Sequence, residues 1–189
     1  MRNGSLDSSQ PAKTLCVARP TNMHPFSDRR DVLACDALAS HEAILVLDQA
    51  RSLQRAAAAG DLPASLRGRK LGLLCEADDS GDAALFRRAA AELGAQVAHI
   101  RPSLTELSTL PDVRRTAYML GRLYDAIECQ GMAPDLVHQM GVHAGVPIYD
   151  GVASSKHPTA KLADLLDGDA LNPDKRRFVL QAVLLSTIA

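Results

Sequence analysis

Four short apolar runs, each followed by a longer stretch with helical periodicity, constrain this sequence more than any other feature. The runs are 71–75 (Leu-Gly-Leu-Leu-Cys), 96–100 (Gln-Val-Ala-His-Ile), 126–129 (Ala-Ile-Glu-Cys) and 146–149 (Val-Pro-Ile-Tyr). Each has the length of a buried strand and is too short for a helix. After the first run, Leu85, Phe86, Ala89, Ala90 and Leu93 recur on one helical face, and Gly94 closes the helix. After the second, Pro111 opens a helix with Val113, Ala117, Leu120 and Leu123 inward. A helix over 134–142 follows the third run, and one running from Pro158 through Leu166 follows the fourth. Upstream of all four, Ser40 reads as an N-cap, with Val46, Ala50, Leu53 and Ala57 on one face and Gly60 as the stop. The last helix starts at Pro173 and is apolar nearly all round at Phe178, Val179, Ala182, Val183, Leu184 and Leu185, so it should be buried. Strands that alternate with helices imply right-handed β-α-β crossovers. The expected fold is α/β, a three-layer parallel sheet with helices on both faces, in a single domain and without internal repeats.

Composition narrows the function classes. At 189 residues the chain can bury a core of its own, and a net charge of −1 gives no basic field for nucleic acid or an anionic membrane. The longest apolar runs, such as 43–47, are too short to span a bilayer, and the polar start of the chain lacks the apolar segment of a signal peptide. Residues 1–30, rich in Ser, Asn, Pro and Arg, read as a mobile polar tail ahead of a domain over 31–189. Cys16, Cys35, Cys75 and Cys129 are widely spaced with no CxxC pair. Reduced, mostly buried thiols in a cytoplasmic protein fit best, and no Cys/His pair has the spacing of a zinc site. His41, His99, His138 and His143 show no pairing pattern, and Arg87 and Arg88 read as a solvated helix face. No cofactor and no metal are expected.

Three segments, taken in order, carry a more specific signal. Residues 67–76 (Arg-Gly-Arg-Lys-Leu-Gly-Leu-Leu-Cys-Glu) run from strand into turn, and 116–127 (Thr-Ala-Tyr-Met-Leu-Gly-Arg-Leu-Tyr-Asp-Ala-Ile) from helix into strand. Residues 146–151 (Val-Pro-Ile-Tyr-Asp-Gly) precede His-Pro-Thr-Ala-Lys-Leu-Ala-Asp-Leu-Leu, which begins at His157. Over roughly residues 36–167 this set resembles the carbamoyl-phosphate-binding, N-terminal domain of the aspartate/ornithine carbamoyltransferases. Residues 176–188 are similar to that family's closing helix, which returns to pack on the same domain. The resemblance places the family's amino-acid-binding domain between these segments, where this chain has only a short linker from Leu166 to Pro173. It implies a domain over 31–189 that includes the returning helix 173–189.

Carbamoyl transfer needs a grip on a phosphate dianion and donors onto the carbamoyl oxygen. The turn after the first strand is the natural place, because free N–H groups and the helix dipole favour an anion there. The family writes that turn Ser-Thr-Arg-Thr-Arg; the aligned residues here are Asp79, Ser80, Gly81, Asp82 and Ala83, with Asp78 beside them. A carboxylate about 6 Å from a phosphate charge repels it by roughly 3 kcal/mol at an effective dielectric near 20. The family's arginine after the third strand aligns with Gln130, and its His-Pro-x-Gln keeps His157, with Thr159 at the open position and Ala160 where the glutamine stands. The loop 105–111 has no basic residue, which leaves His157 and the bare backbone of the turn.

The residues alone leave alternatives open. One of Asp78, Asp79 and Asp82 can cap the helix, contribute with Glu76 to a magnesium site, or hold a cationic ligand. His157, just before Pro158, can cap or pack rather than act in catalysis. The leading expectation is a degenerate carbamoyltransferase-like protein with no catalytic residue, acting by self-association or by binding a protein partner such as a full-length carbamoyltransferase. By the resemblance it is a homo-oligomer, a trimer whose neighbours share each site. The alternative is a carboxyl-/carbamoyltransferase subunit of amino-acid metabolism whose residual carbamoyl-phosphate binding is completed by another chain. A third reading is a small-molecule sensor that uses the acidic turn.

Overall fold

The computed structural model describes residues 40–76, 80–105, 108–168 and 172–188. The expected tail 1–30, Cys16, Cys35, Asp78 and Asp79 lie outside the described residues. In chain order the elements are α1 Ser40–Ala58, β1 Lys70–Leu74, α2 Gly81–Glu92, β2 Gln96–Ile100, α3 Leu110–Leu123, β3 Ala126–Cys129, α4 Pro134–Ala144, β4 Ile148–Asp150, a 3-10 helix Pro158–Leu165, and α5 Asn172–Ile188. The strands form one parallel sheet in the order β2-β1-β3-β4. The α/β fold with a parallel sheet is therefore as the alternation of runs implies.

Strand pleating divides the core in two. Leu71, Leu73 and Cys75 point to one face, where α1, α2, the 3-10 helix and α5 cover the sheet with Val46, Leu53, Phe86, Ala163 and Val183. Leu74, Ile127, Cys129 and Ile148 point to the other face, under Val113, Leu120, Val137 and Met140 of α3 and α4. Between α3 and α4 the backbones nearly touch: a Cβ on Gly121 would stand 1.9 Å from the Ala144 carbonyl oxygen. Only glycine allows that approach.

The last helix is buried from Arg177 through Leu184, against α1, α2 and the 3-10 helix. The two polar residues of that buried span, Arg177 and Gln181, meet α2. Gln181 Nε2 donates to Glu92 Oε2 at 2.9 Å and to the Ala89 carbonyl at 3.3 Å, and Arg177 also donates to Glu92. Arg88 lies 3.1 Å from Glu92 and 3.1 Å from Asp174. Arg88 is exposed, as a solvated helix face implies, and its long stem lets the guanidinium reach Asp174 on the neighbouring helix.

Two departures from the periodicity have a physical reason. The segment after Pro158 winds as a 3-10 helix, a geometry that period alone does not separate from an α-helix over two turns. The last strand begins at Ile148 rather than Val146; Pro147 has no N–H to give a ladder, although its carbonyl still accepts from Ile127 N–H at 3.0 Å. Among the described residues no helix is long and apolar enough to cross a membrane.

Candidate functional site

The carboxyl ends of β1, β3 and β4 open at one edge of the sheet, and most of the residues singled out above gather there. Ser80 and Gly81 begin α2 after β1, Gln130 follows β3, and the turn 151–157 follows β4. In open parallel sheets this is the edge where ligands bind.

At the head of α2 the cap is Ser80, not an aspartate. Its Oγ accepts from Ala83 N–H at 3.0 Å and its carbonyl from Ala84 N–H at 2.9 Å. Serine and aspartate cap equally well. Asp82 cannot cap because it already lies inside the first helical turn. Its carboxylate lies 3.6 Å from the guanidinium of Arg176 in α5. Arg176 also donates to the Ala153 carbonyl. The expectation that only His157 and bare backbone remain is thus incomplete: α5 delivers a cation to this turn. The signal available in the sequence was the pair Arg176 and Arg177 heading an otherwise apolar helix.

His157 caps the 3-10 helix. Nδ1 accepts from Thr159 N–H at 3.3 Å and lies 2.8 Å from Thr159 Oγ1; His157 and Thr159 are both buried. With Nδ1 as acceptor, a neutral ring carries its proton on Nε2. Ala160 N–H donates to the His157 carbonyl at 2.9 Å, and its methyl offers no polar group.

Glu128 was hidden inside an apolar run. It is fully buried in β3, in register with Leu73 and Tyr149. Its carboxyl accepts from Val152 N–H at 3.2 Å, Ala153 N–H at 3.3 Å and Gln130 Nε2 at 3.3 Å. Burial nevertheless pushes this carboxyl up to about 8. Burial also raises Asp150, partly offset by the neighbouring His157, and raises the Cys75 thiol against the pull of Arg87. No sequence pattern marked Glu128, because its partners are mostly backbone N–H groups from another loop.

The clefts beside this edge carry no cation among the described residues. One of about 240 Å³ is lined by Glu76, Leu104, Gln130 and Met132. A wider one, about 750 Å³, runs from Thr105 and Ser108 to Asp135 and Gln139. Among the described residues no three His, Cys, Asp or Glu side chains converge as a metal site needs. His41 and His138 are exposed, His143 is half-buried, and His99 Nε2 lies 2.9 Å from the Cys75 carbonyl.

Comparison with known proteins gives a consistent result. Residues 30–168 match the family described as aspartate/ornithine carbamoyltransferase, carbamoyl-P binding domain. The catabolic ornithine carbamoyltransferase of Chromobacterium violaceum is 38% identical over 122 residues, 64% of this chain and 36% of its own length. That of Burkholderia pseudomallei is 34% identical over 145 residues, 77% of this chain and 42% of its own. The chain thus spans about two fifths of the length of the curated relatives it matches. Among solved structures, ornithine carbamoyltransferase from Gloeobacter violaceus superposes with a TM-score of 0.55 at 28% identity, covering 72% of this chain and 43% of its own. The Pyrococcus furiosus enzyme, at 24% identity and a TM-score of 0.62, covers 72% and 44% and shares the fold.

Proposed function

The chain belongs to the aspartate/ornithine carbamoyltransferase family through its carbamoyl-P binding domain, and from that premise we propose that it is a catalytically degenerate member acting by self-association or by binding a protein partner. One observation carries this reading: the cation at the head of α2 is already matched by a carboxylate of the same chain. Asp82 faces Arg176, and Ser80 takes the Ala83 N–H that an anion would otherwise use. A phosphate would have to displace Asp82 while meeting its charge. The absence of polar reach at Ala160 and of a cation at Gln130 supports the same conclusion. The self-associated form is a homo-oligomer, a trimer by family resemblance. Leu110, Tyr118, Met119 and Leu123 leave α3 with four large apolar side chains at least half exposed, which association would cover. A cytoplasmic location with no nucleic-acid or membrane partner completes the proposal.

The test is thermal. A ligand at a hundred times its dissociation constant stabilises a protein by about 2.7 kcal/mol. Millimolar carbamoyl phosphate should leave the melting temperature unchanged. A rise with carbamoyl phosphate, absent with plain phosphate, would overturn the degenerate reading. It would favour a second one, a carbamoyltransferase subunit with residual carbamoyl-phosphate binding completed by another chain. Arg176 supports that alternative, since it is a cation placed where a phosphate would bind.

A further inference from the structure

Glu128 and Arg176 meet the same residue from opposite sides. The Ala153 N–H donates to Glu128 Oε1 at 3.3 Å, and the Ala153 carbonyl accepts from the Arg176 guanidinium. Val152 N–H donates to the other carboxyl oxygen at 3.2 Å. Val152 and Ala153 are buried, and the turn they occupy is anchored by Gly151 N–H to the Cys129 carbonyl and by Ser154 N–H to the Gly151 carbonyl. Glu128 thus holds two successive N–H groups of an already anchored turn. We propose that Glu128 is a positioning residue for Arg176: by holding the backbone of Val152 and Ala153, it sets where the guanidinium at the head of α2 sits. The inference goes beyond the functional reading and does not rest on it.

The three groups that meet the carboxyl all donate. Protonation removes the negative charge that these donors meet and turns charge-assisted hydrogen bonds into weaker neutral ones, so the hold on the Val152 and Ala153 backbone loosens, and with it the position of the Ala153 carbonyl. Burial places this change of charge in an accessible range, near pH 8. The other titratable groups that sense the carboxyl are Asp150 and Tyr149 on β4, Cys75 at the end of β1, and Cys129 on its own strand; His157 faces Asp150. At the far end of the chain of contacts stand Arg176 and Asp82.

The experiment is a nuclear magnetic resonance titration of the whole chain, reading the Glu128 carboxyl carbon and the Arg176 Nε on either side of pH 8. Both resonances should move with one midpoint. Gln130→Ala removes a donor to Glu128 and should raise both midpoints together; Asp150→Asn removes a repelling carboxyl and should lower both together. An Arg176 resonance that stays flat through the Glu128 transition overturns the proposal. So does an Arg176 midpoint that parts from that of Glu128 in either variant. A purely structural role for Glu128 would not move the two together, and the readout is independent of whether the turn binds an anion.

Discussion

Replacing Ser80 with alanine removes the side-chain acceptor for Ala83 N–H and should lower stability by about 1 kcal/mol in urea unfolding. Converting residues 79–83 to Ser-Thr-Arg-Thr-Arg also removes the Asp82 carboxylate and leaves Arg176 without that counterion. Phosphate should then stabilise the variant but not the parent, and the effect should fade with salt. A parent that binds phosphate equally well would show that Asp82 does not block the turn. Glu128 gives a pH dependence of definite sign. Its folded-state value, about 8, lies above the ordinary 4.5, so the native state holds a proton that the unfolded chain has released. Stability is fullest below about pH 4.5 as far as this group is concerned, and falls as pH rises towards 8, by at most about 1.4 kcal/mol per unit. Glu128→Gln should flatten most of that slope; Asp150, also raised, leaves a smaller one of the same sign. An unchanged slope in the variant would remove Glu128 as its source.

Between elements, the close approach of α3 to α4 and the docking of α5 are each testable through stability. Gly121→Ala places a methyl 1.9 Å from the Ala144 carbonyl, so α3 and α4 must separate, at about 1–3 kcal/mol or more by thermal unfolding. Deleting residues from 172 onward uncovers the apolar faces of α1 and α2 and removes Phe178, Val179, Leu180, Val183 and Leu184 from the core, each contributing roughly 1.5–3 kcal/mol. The truncated protein should be insoluble or lack native circular dichroism; a folded product would show α5 to be dispensable. The elements themselves were legible because their signals are local: period, Pro at helix starts, Gly at helix ends. The site was less so, for physical reasons. Ser80 and the neighbouring aspartates are interchangeable as caps until the helix start is fixed. Arg176 reaches Asp82 only because α5 packs against α2, a long-range fact with no local trace. Glu128 looks like an interruption in an apolar strand until the backbone of Val152 and Ala153 is brought to it.

For the whole molecule the deciding measurements are association and ligand response. Light scattering should give a mass near three times the 20.2 kDa chain; a monomer at all concentrations would remove the trimer proposal and leave partner binding. Unchanged melting with carbamoyl phosphate, together with a self-associated state, would be the joint signature of a domain that keeps the family's architecture while its phosphate site is filled from within.

The position of α5 also governs how the chain reaches its native state. This helix follows every other described element in chain order, yet it seals the groove between α1, α2 and the 3-10 helix. Closing so long a loop has an entropic cost on the order of 4 kcal/mol, which is recovered only once the helix docks. Contacts this distant in sequence slow folding. While the chain is being synthesised, the sheet and its first helices emerge with that groove open, and an apolar channel waits for a segment not yet made. Until α5 docks, that open channel is the kind of apolar surface that makes a partly folded chain prone to aggregate.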